Sequence, residues 1–501
     1  MFLFTAATWL SFFATSAFAA VPTIQTTSGI LQGVSISSAT NAYLGIPFAA
    51  PPMGPRRFAA PVALNTPNQT RNATGFSPAC IQLGNTFPNP TGESEDCLYL
   101  NVWTSPSTSS AVKKPVLLWL YGGGFNSGGT SFLIYDFKKW AIAHPEVIFV
   151  SANYRLNLFG YPNTPAITPP NTNAGARDQR LAVEWVYNNI AAFGGDPNRI
   201  SFGGQSAGSA SVAGYLYAYP NNALVKGAIL MSGQALLASS ITPGLSIPGL
   251  PSITNPFPIV ASAVGCPLQG NDYSAQLTCV RSKSTADLTT AMAQQNITGF
   301  GPVIDNQTVF TTDEYKRRGR AGYFAKVPIL TGTTNDEGDL FAWNRATNTV
   351  NETLSLGVTL VGFRCPDALQ AGYSILSGVP TYRYRYLGQF PTISPPPLRA
   401  FHAADLLILL GTSQGRAPNA PPPTALEQQA TAYLQNAYSA FISNPANGLL
   451  ALGWPRYAGY VGFTLVDIFR DNNVQVPVLR ENPTEFDAAC PLLSFALDIA
   501  T

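Results

Sequence analysis

The amino-acid sequence predicts an α/β fold, with a large and mostly parallel central sheet flanked by helices. Two apolar runs, VLLWLY at 116–121 and VIFVSA at 147–152, lack polar alternation, which is typical of strands buried on both faces. A helix is predicted over 174–193, because Gly194, Gly195 and Pro197 then stop it. Further strands are predicted at 200–203, 227–231 and 327–332. Alternating strands and helices imply a parallel sheet that binds ligands at the carboxyl ends of its strands.

The N-terminus has the pattern of a secretory signal. Residues 1–20 contain no charged side chain, residues 3–13 are an apolar core, and the small residues at 17 and 19 suit a cleavage site. A buried N-terminal helix is the alternative. No other stretch approaches the ~20 apolar residues that a membrane span needs. We therefore predict a signal peptide at 1–19, a single domain over 20–501, and an extracellular protein.

Two further features favour secretion. Asn-x-Ser/Thr acceptors for glycosylation occur at Asn68, Asn72, Asn296, Asn306 and Asn351. The six cysteines are Cys80, Cys97, Cys266, Cys279, Cys365 and Cys490. Their even number includes two close pairs, no C-x-x-C occurs, and both histidines lie far from any cysteine. Three disulfides in an oxidising compartment are therefore expected, and a zinc site is not.

Composition predicts a large apolar core. Of the 501 residues 46% are hydrophobic and 11% are charged, compared with about 25% charged residues in an average domain. The net charge of +2 is spread along the chain, so neither a nucleic acid nor an anionic membrane is an expected partner. Length alone predicts about three domains, but no linker or repeat divides the chain. Proline-rich stretches at 241–258, 395–397 and 418–423 are predicted to be surface loops.

A possible nucleophile lies between the strand at 200–203 and the helix that follows it. Ser206 is flanked by Gly204 and Gly208, and small neighbours leave room for a strained strand-to-helix turn. Such a turn exposes the serine oxygen and places the N–H group of Ala207 at a helix N-terminus. The G-x-S-x-G pattern by itself also occurs in ordinary loops, so its flanking elements carry the prediction.

The strand at 116–121 leads directly into three glycines at 122–124. Glycine lets the backbone approach a ligand closely and orient its N–H groups freely. Together with the serine turn, this favours an oxyanion hole made by the N–H groups of Gly123, Gly124 and Ala207. A plain flexible loop is the alternative.

Taken together, these motifs resemble the type-B carboxylesterase/lipase family of α/β-hydrolases, which includes fungal secreted carboxylesterases and lipases. The matching stretches are YLGIPFA at 43–49, SEDCLYLNV at 94–102, YGGGF at 121–125, NYR at 153–155, DQRLA at 178–182, FGGDP at 193–197, GQSAG at 204–208 and NDEG at 335–338. The resemblance covers the chain from about residue 25 onward. It implies two buried structural ion pairs, Arg57 with Glu95 and Arg155 with Asp178.

The resemblance also implies a catalytic triad in the order serine, acid, histidine. Of the two histidines, His144 precedes Ser206, so His402 is the predicted general base. Asp336 and Glu337 both follow the strand at 327–332, and the family pattern places the acid immediately before a glycine. Glu337 is therefore preferred over Asp336. Ester hydrolysis through an acyl-enzyme by these residues requires neither a cofactor nor a metal.

For the disulfides we predict the pairs Cys80–Cys97, Cys266–Cys279 and Cys365–Cys490, of which the first two close short loops. Two departures from the family bear on the substrate. Many relatives carry glutamate where this chain has Gln205, and the tryptophan that holds choline in cholinesterases has no counterpart between Cys80 and Cys97. A cholinesterase is therefore not expected.

The loop between Cys80 and Cys97 forms the lid in lipases that resemble this chain. Here its 16 residues include two prolines and only Ile81, Leu83 and Phe87 as large apolar side chains. Because proline disfavours a helix and three apolar residues make no broad face, no lid helix is expected. We predict a hydrolase of uncharged short- to medium-chain esters. A triglyceride lipase, with residues 241–258 covering the site, and a non-catalytic adhesion relative are the alternatives.

Overall fold

The computed structural model describes residues 21–84, 87–106, 112–236, 256–297, 299–416 and 419–490. The predicted signal peptide and residues 241–255 of the longest proline-rich stretch lie outside these residues. The predicted domain boundary at residue 20 therefore stays a prediction. No helix among the described residues is both long enough and apolar enough to cross a membrane.

Strands run through the whole described chain. In order they are β1 (Thr23–Thr26), β2 (Gly29–Gln32), β3 (Val34–Ser37), β4 (Thr40–Pro47), β5 (Thr70–Asn72), β6 (Ala79–Cys80), β7 (Glu93–Ser94), β8 (Tyr99–Thr104), β9 (Lys114–Leu120), β10 (Ile148–Ala152), β11 (Gly195–Gln205), β12 (Gly227–Met231), β13 (Ile329–Thr334), β14 (Trp343–Asn344), β15 (Thr349–Val350), β16 (Thr381–Tyr386), β17 (Leu465–Ile468) and β18 (Val478–Glu481).

Helices lie between these strands. They are α1 (Lys138–Ala143), α2 (Asn157–Gly160), α3 (Ala174–Asn189), α4 (Ala207–Ala218), α5 (Phe257–Ala263), α6 (Tyr273–Ser282), α7 (Thr285–Gln294), α8 (Thr312–Arg320), α9 (Asp339–Ala342), α10 (Glu352–Val358), α11 (Cys365–Leu376), α12 (Ala404–Leu410), α13 (Ala425–Ser443) and α14 (Pro483–Phe486). Short 3₁₀ turns include Leu133–Tyr135, Ile190–Phe193 and Ser413–Arg416. Capping boxes at Ser284 and Thr424 begin α7 and α13.

The central sheet contains 11 strands in the part of the chain that the structure describes, in the order β18-β17-β16-β13-β12-β11-β9-β10-β8-β4-β3. The strands from β17 to β10 pair in parallel, and the outer strands pair antiparallel. Because β9, β11, β12 and β13 are parallel neighbours, the loops at their carboxyl ends meet at one edge of the sheet. The predicted α/β-hydrolase architecture is confirmed.

Predicted and observed elements agree closely in the middle of the chain. The helix predicted over 174–193 is α3 followed by the 3₁₀ turn Ile190–Phe193, and the strand predicted at 227–231 is β12. The predicted loop at 241–258 is wrong at its end, because Phe257 and Pro258 begin α5. Proline is tolerated there because the first turn of a helix needs no intrahelical N–H donor.

Buried arginines pair with carboxylates. Arg57 contacts Glu95 at 2.5 Å and Arg155 contacts Asp178 at 2.7 Å, the two ion pairs that the family resemblance implies. Sequence analysis missed a third, larger cluster centred on Arg383. Its guanidinium, with 0% of the side chain exposed, lies 2.7 Å from Asp367 and 2.5 Å from Asp487. This cluster joins β16 to α11 and to the segment after α14.

Sulfur–sulfur bonds join Cys80 to Cys97, Cys266 to Cys279, and Cys365 to Cys490, the same pairs that the sequence analysis predicts. The third links segments 125 residues apart. All five asparagines of the predicted glycosylation sites are exposed. Their modification stays a prediction.

Candidate active site

Ser206 occupies a sharp turn between β11 and α4. Its backbone angles are φ 57° and ψ −124°, outside the helical and extended regions, so the turn is strained. The serine N–H group donates a hydrogen bond of 2.9 Å to the carbonyl of Met231, at the end of β12. The neighbouring strand thus holds the turn in place.

The glycines beside the serine are required by close packing. A Cβ atom at Gly204 would lie 2.5 Å from the carbonyl carbon of Gly208, and one at Gly208 would lie 2.3 Å from the carbonyl oxygen of Leu120. Such contacts are far inside van der Waals distance. The G-x-S-x-G pattern is therefore explained by the approach of α4 to β11 and β9.

The loop after β9 packs directly against Ser206. A Cβ atom at Gly122 would lie 2.8 Å from the Cβ atom of Ser206. Gly123 has φ +119°, a conformation that side-chain-bearing residues rarely adopt. Among the hydrogen bonds of the described residues, none has the N–H group of Gly123, Gly124 or Ala207 as its donor. These groups are free to bind an oxyanion.

His402 lies against a buried carboxylate. Its Nδ1 atom is 2.5 Å from Oε2 of Glu337, whose side chain has 0% exposure. Glu337 also accepts hydrogen bonds from the Ser232 hydroxyl at 2.6 Å and the Thr334 N–H group at 2.8 Å. The Nδ1–H group of His402 therefore donates to Glu337, which leaves Nε2 as the acceptor.

Glu337, and not Asp336, contacts His402. Asp336 accepts a hydrogen bond from Asn335 and lies 3.5 Å from Arg399. Burial raises its pKa. The N–H group of Asp336 donates to the carbonyl of Ala400 at 2.9 Å, and this contact brings the loop after β13 beside His402. The other histidine, His144, ends α1 beside Glu146 and lies outside the cavity that contains Ser206 and His402.

Gln205 bonds to the catalytic histidine candidate. Its Nε2 atom is 3.1 Å from Nε2 of His402, so the amide donates to the nitrogen that would deprotonate Ser206. Sequence analysis noted that this residue departs from the family but did not predict the contact. Its position next to Ser206 was the available signal.

A second carboxylate, which sequence analysis missed, lies near His402 and Glu337. Asp405 is fully buried in α12 and accepts hydrogen bonds from the Tyr384 hydroxyl at 3.0 Å and the Leu406 N–H group at 2.9 Å. The pKa of Asp405 is raised to about 7, mainly by burial and secondly by the negative charge of Glu337. The spacing from His402 to Asp405 was the only local signal.

Ser206 and His402 both line one cavity of about 2360 Å³, counting the part open to solvent. Its wall is mostly apolar and aromatic, including Phe132, Phe341, Phe363, Leu398, Phe401 and Leu407. The rings of Phe341 and Phe363 lie 5.3 and 4.7 Å from the imidazole of His402. Such a wall suits the apolar parts of an organic substrate. Among the described residues no cluster of three metal-ligating side chains occurs.

The loop between Cys80 and Cys97 contains no helix in its described residues, as predicted. Its first part is attached to the loop after β9, where the N–H group of Leu83 donates to Asn126 and Gln82 bonds to Gly128 in both directions. Phe87 lines the cavity. The loop therefore forms part of the wall.

Residues 20–356 match the model of a protein family described as the carboxylesterase family. This protein belongs to the carboxylesterase family. It is accordingly a serine-type carboxylic ester hydrolase with an α/β-hydrolase fold, as the motifs predict.

Individual relatives differ in their activities. The chain is 37% identical to a chlorogenic acid esterase of Aspergillus niger, over 86% of this chain and 84% of the relative. It is 31% identical to secreted lipase 5 of Gibberella zeae, over 90% and 91% of the two chains. It is 35% identical to an acetylcholinesterase of Bungarus fasciatus, but this match covers less of both chains, 64% of this chain and 54% of the relative.

Proposed function

We propose that Ser206, His402 and Glu337 are the catalytic triad of a secreted esterase that acts through an acyl-enzyme. The observation that carries the proposal is the 2.5 Å contact between Glu337 and His402, which lines the cavity that also contains Ser206. His402 takes the serine proton as Ser206 attacks the ester carbonyl. Glu337 fixes the tautomer of the imidazole and stabilises its protonated form.

Negative charge then develops on the carbonyl oxygen. The N–H groups of Gly123, Gly124 and Ala207 bind it, and the loss of one such donor typically costs about 10²–10³ in rate. The leaving alcohol takes the proton from His402, and water hydrolyses the acyl-enzyme by the same route.

Gln205 affects the first step. Because its amide donates to Nε2 of His402 at 3.1 Å, the histidine must exchange this hydrogen bond for one from Ser206 before proton transfer. Such bonds are often loose in a free enzyme and tighten with substrate bound. We infer that substrate binding favours the exchange.

For the substrate we propose dissolved short- to medium-chain esters. The lid-forming loop of related lipases has no helix here in its described residues, and its first part is fixed to the cavity wall. A triglyceride lipase is the second candidate, favoured by the apolar cavity and by the similarity to a secreted lipase. An extracellular location is supported by the three disulfides and the exposed glycosylation acceptors.

An acyl-chain series tests this function. Glycerol and aryl esters of increasing chain length are assayed below and above their solubility, with Ser206→Ala as the control. We expect turnover of dissolved short esters, no rate increase at the emulsion threshold, and a loss of about 10⁴ or more in Ser206→Ala. An increase at the threshold with long-chain triglycerides would establish the lipase instead. Activity retained by Ser206→Ala would reject the proposed nucleophile.

A further inference from the structure

Two arginines interrupt the apolar wall of the active-site cavity. Among the described residues that line it, Arg345 and Arg416 are the only lysine, arginine or carboxylate side chains. Every permanently charged group in that set is thus positive. A cavity of this kind has an electrostatic potential that favours an anionic group on the ligand.

Arg416 is the better placed of the two. It ends the 3₁₀ turn Ser413–Arg416, is half-buried, and donates from Nη1 to the carbonyl of Ile393. The adjacent Thr412 hydroxyl donates to the Ile134 carbonyl at 2.8 Å, in the 3₁₀ turn that also carries Tyr135. The Tyr135 hydroxyl accepts from the N–H group of Gly122 at 3.1 Å. The turn that ends at Arg416 is therefore connected, through the turn Leu133–Tyr135, to the loop that carries the proposed oxyanion donors.

No carboxylate among the described residues lies within ion-pair distance of Arg416. Asp498 is the single acidic side chain in the remaining sequence. Burial lowers the pKa of Arg416. The buried Arg57, Arg155 and Arg383 each have a carboxylate at 2.5–2.7 Å. Arg416 is thus a half-buried cation that lines the cavity of Ser206 and has no carboxylate at ion-pair distance among the described residues.

Arg345 has a different setting. It is exposed, and its guanidinium stacks on the ring of Trp343 at 5.1 Å. Water screens a cation in this position, so it attracts anions without binding them firmly. It provides a matched comparison, because the two residues have the same charge and line the same cavity.

We propose that Arg416 binds a carboxylate group carried by the ester substrate, so that the enzyme prefers anionic esters to neutral ones of the same shape. This inference rests on the proposed esterase function and amends the sequence-based expectation of an uncharged ester. The guanidinium fork suits a carboxylate, and hydrogen bonds between ionised partners are about twice as strong as neutral ones. Partial burial of Arg416 limits the screening of this bond.

The test uses esters that differ only in charge. One set has the carboxylate on the alcohol side, as ω-acetoxyalkanoates of increasing length paired with their primary amides. The other has it on the acyl side, as monomethyl dicarboxylates paired with their amides. Released acetate or methanol gives kcat/KM for wild type, Arg416→Gln, Arg416→Lys and Arg345→Gln.

We expect the wild type to prefer the carboxylate of at least one set by about 10-fold or more. Arg416→Gln lowers kcat/KM for the carboxylates about 10-fold more than for the amides, so the preference is lost. Measurable turnover of the amides shows that the variant is folded. Arg416→Lys retains part of the preference, because it keeps the charge but loses the fork. Arg345→Gln retains most of it.

Equal turnover of carboxylates and amides by the wild type in both sets would overturn the inference and leave the esterase function intact. If Arg345→Gln and Arg416→Gln lose the preference for carboxylates equally, the preference comes from the overall electrostatic potential of the cavity. That result would reject Arg416 as the carboxylate-binding residue. No hydrolysis of either member, with Ser206→Ala indistinguishable from wild type, would instead reject the proposed function.

Discussion

Glu337 and Asp367 are both fully buried carboxylates that contact a basic side chain, yet their surroundings differ. Glu337 bonds to His402, which reaches the cavity that contains Ser206. Asp367 bonds to Arg383, to Gln234 and to Thr331 on β13, and neither Asp367 nor Arg383 lines that cavity. Burial and pairing therefore do not identify a catalytic carboxylate. What distinguishes Glu337 is that its partner, His402, lines the cavity that also contains Ser206.

The largest expected effect is the difference in ester hydrolysis between a variant of Glu337 and the equivalent variant of Asp336. Glu337→Gln cannot stabilise a protonated His402, so we expect kcat/KM to fall by about 10³–10⁴. Asp336→Asn removes a carboxylate one position away that contacts Arg399 and not His402, and should cost less than about tenfold. Ester hydrolysis assays measure both, with thermal melting as the check on folding. The reverse order would make Asp336 the acid and remove the contrast with Asp367.

The Arg383 cluster should behave in the opposite way. Arg383→Met leaves Asp367 and Asp487 buried without their cation, so the free energy of unfolding should fall by about 3–5 kcal/mol. The folded fraction should keep its kcat. Arg456→Met is the matched control, because Arg456 is exposed and bonds to Asn447 and a backbone carbonyl. Urea midpoints that are equal for the two variants would show that the cluster contributes little.

Asp405 is a third case, a buried carboxylate without a basic ion-pair partner among the described residues. Its neighbours are Glu337, His402 and the Tyr384 hydroxyl, which bonds in turn to Tyr438. With a pKa raised to about 7 by burial, the folded state retains a proton that the unfolded state loses near pH 4. The contribution of Asp405 to the free energy of unfolding should therefore fall as pH rises from about 4 to 7.

Asp405→Asn lacks this proton equilibrium. Its free energy of unfolding relative to wild type should increase by about 3 kcal/mol between pH 4.5 and 7.5. Asp313→Asn, on the exposed surface of α8, is the control for replacing an aspartate outside the buried cluster. Denaturation at several pH values measures both. A flat difference for Asp405→Asn would mean that Asp405 does not take up a proton over this pH range.

Local sequence predicted the elements that carry the site. The apolar runs predicted β9 and β10, and the glycines around Ser206 predicted the turn, because steric limits and burial act over a few neighbouring residues. The end of the proline-rich stretch was predicted wrongly as loop, since a proline at a helix start and one in a loop look alike in sequence.

The sequence by itself therefore determined the fold class, and it predicted the turn at Ser206 and the glycine loop, whose geometry depends on residues adjacent in the chain. With the triad order that the family resemblance implies, it also limited the proposed base to His402, because the other histidine precedes Ser206. Tertiary structure decided which carboxylate His402 contacts and that Gln205 bonds to His402. It also decided that Arg383 pairs with carboxylates, while Arg416 has none at ion-pair distance among the described residues. These contacts join segments up to 197 residues apart, as between Gln205 and His402. They depend on how the loops at the sheet edge pack, which no local pattern encodes.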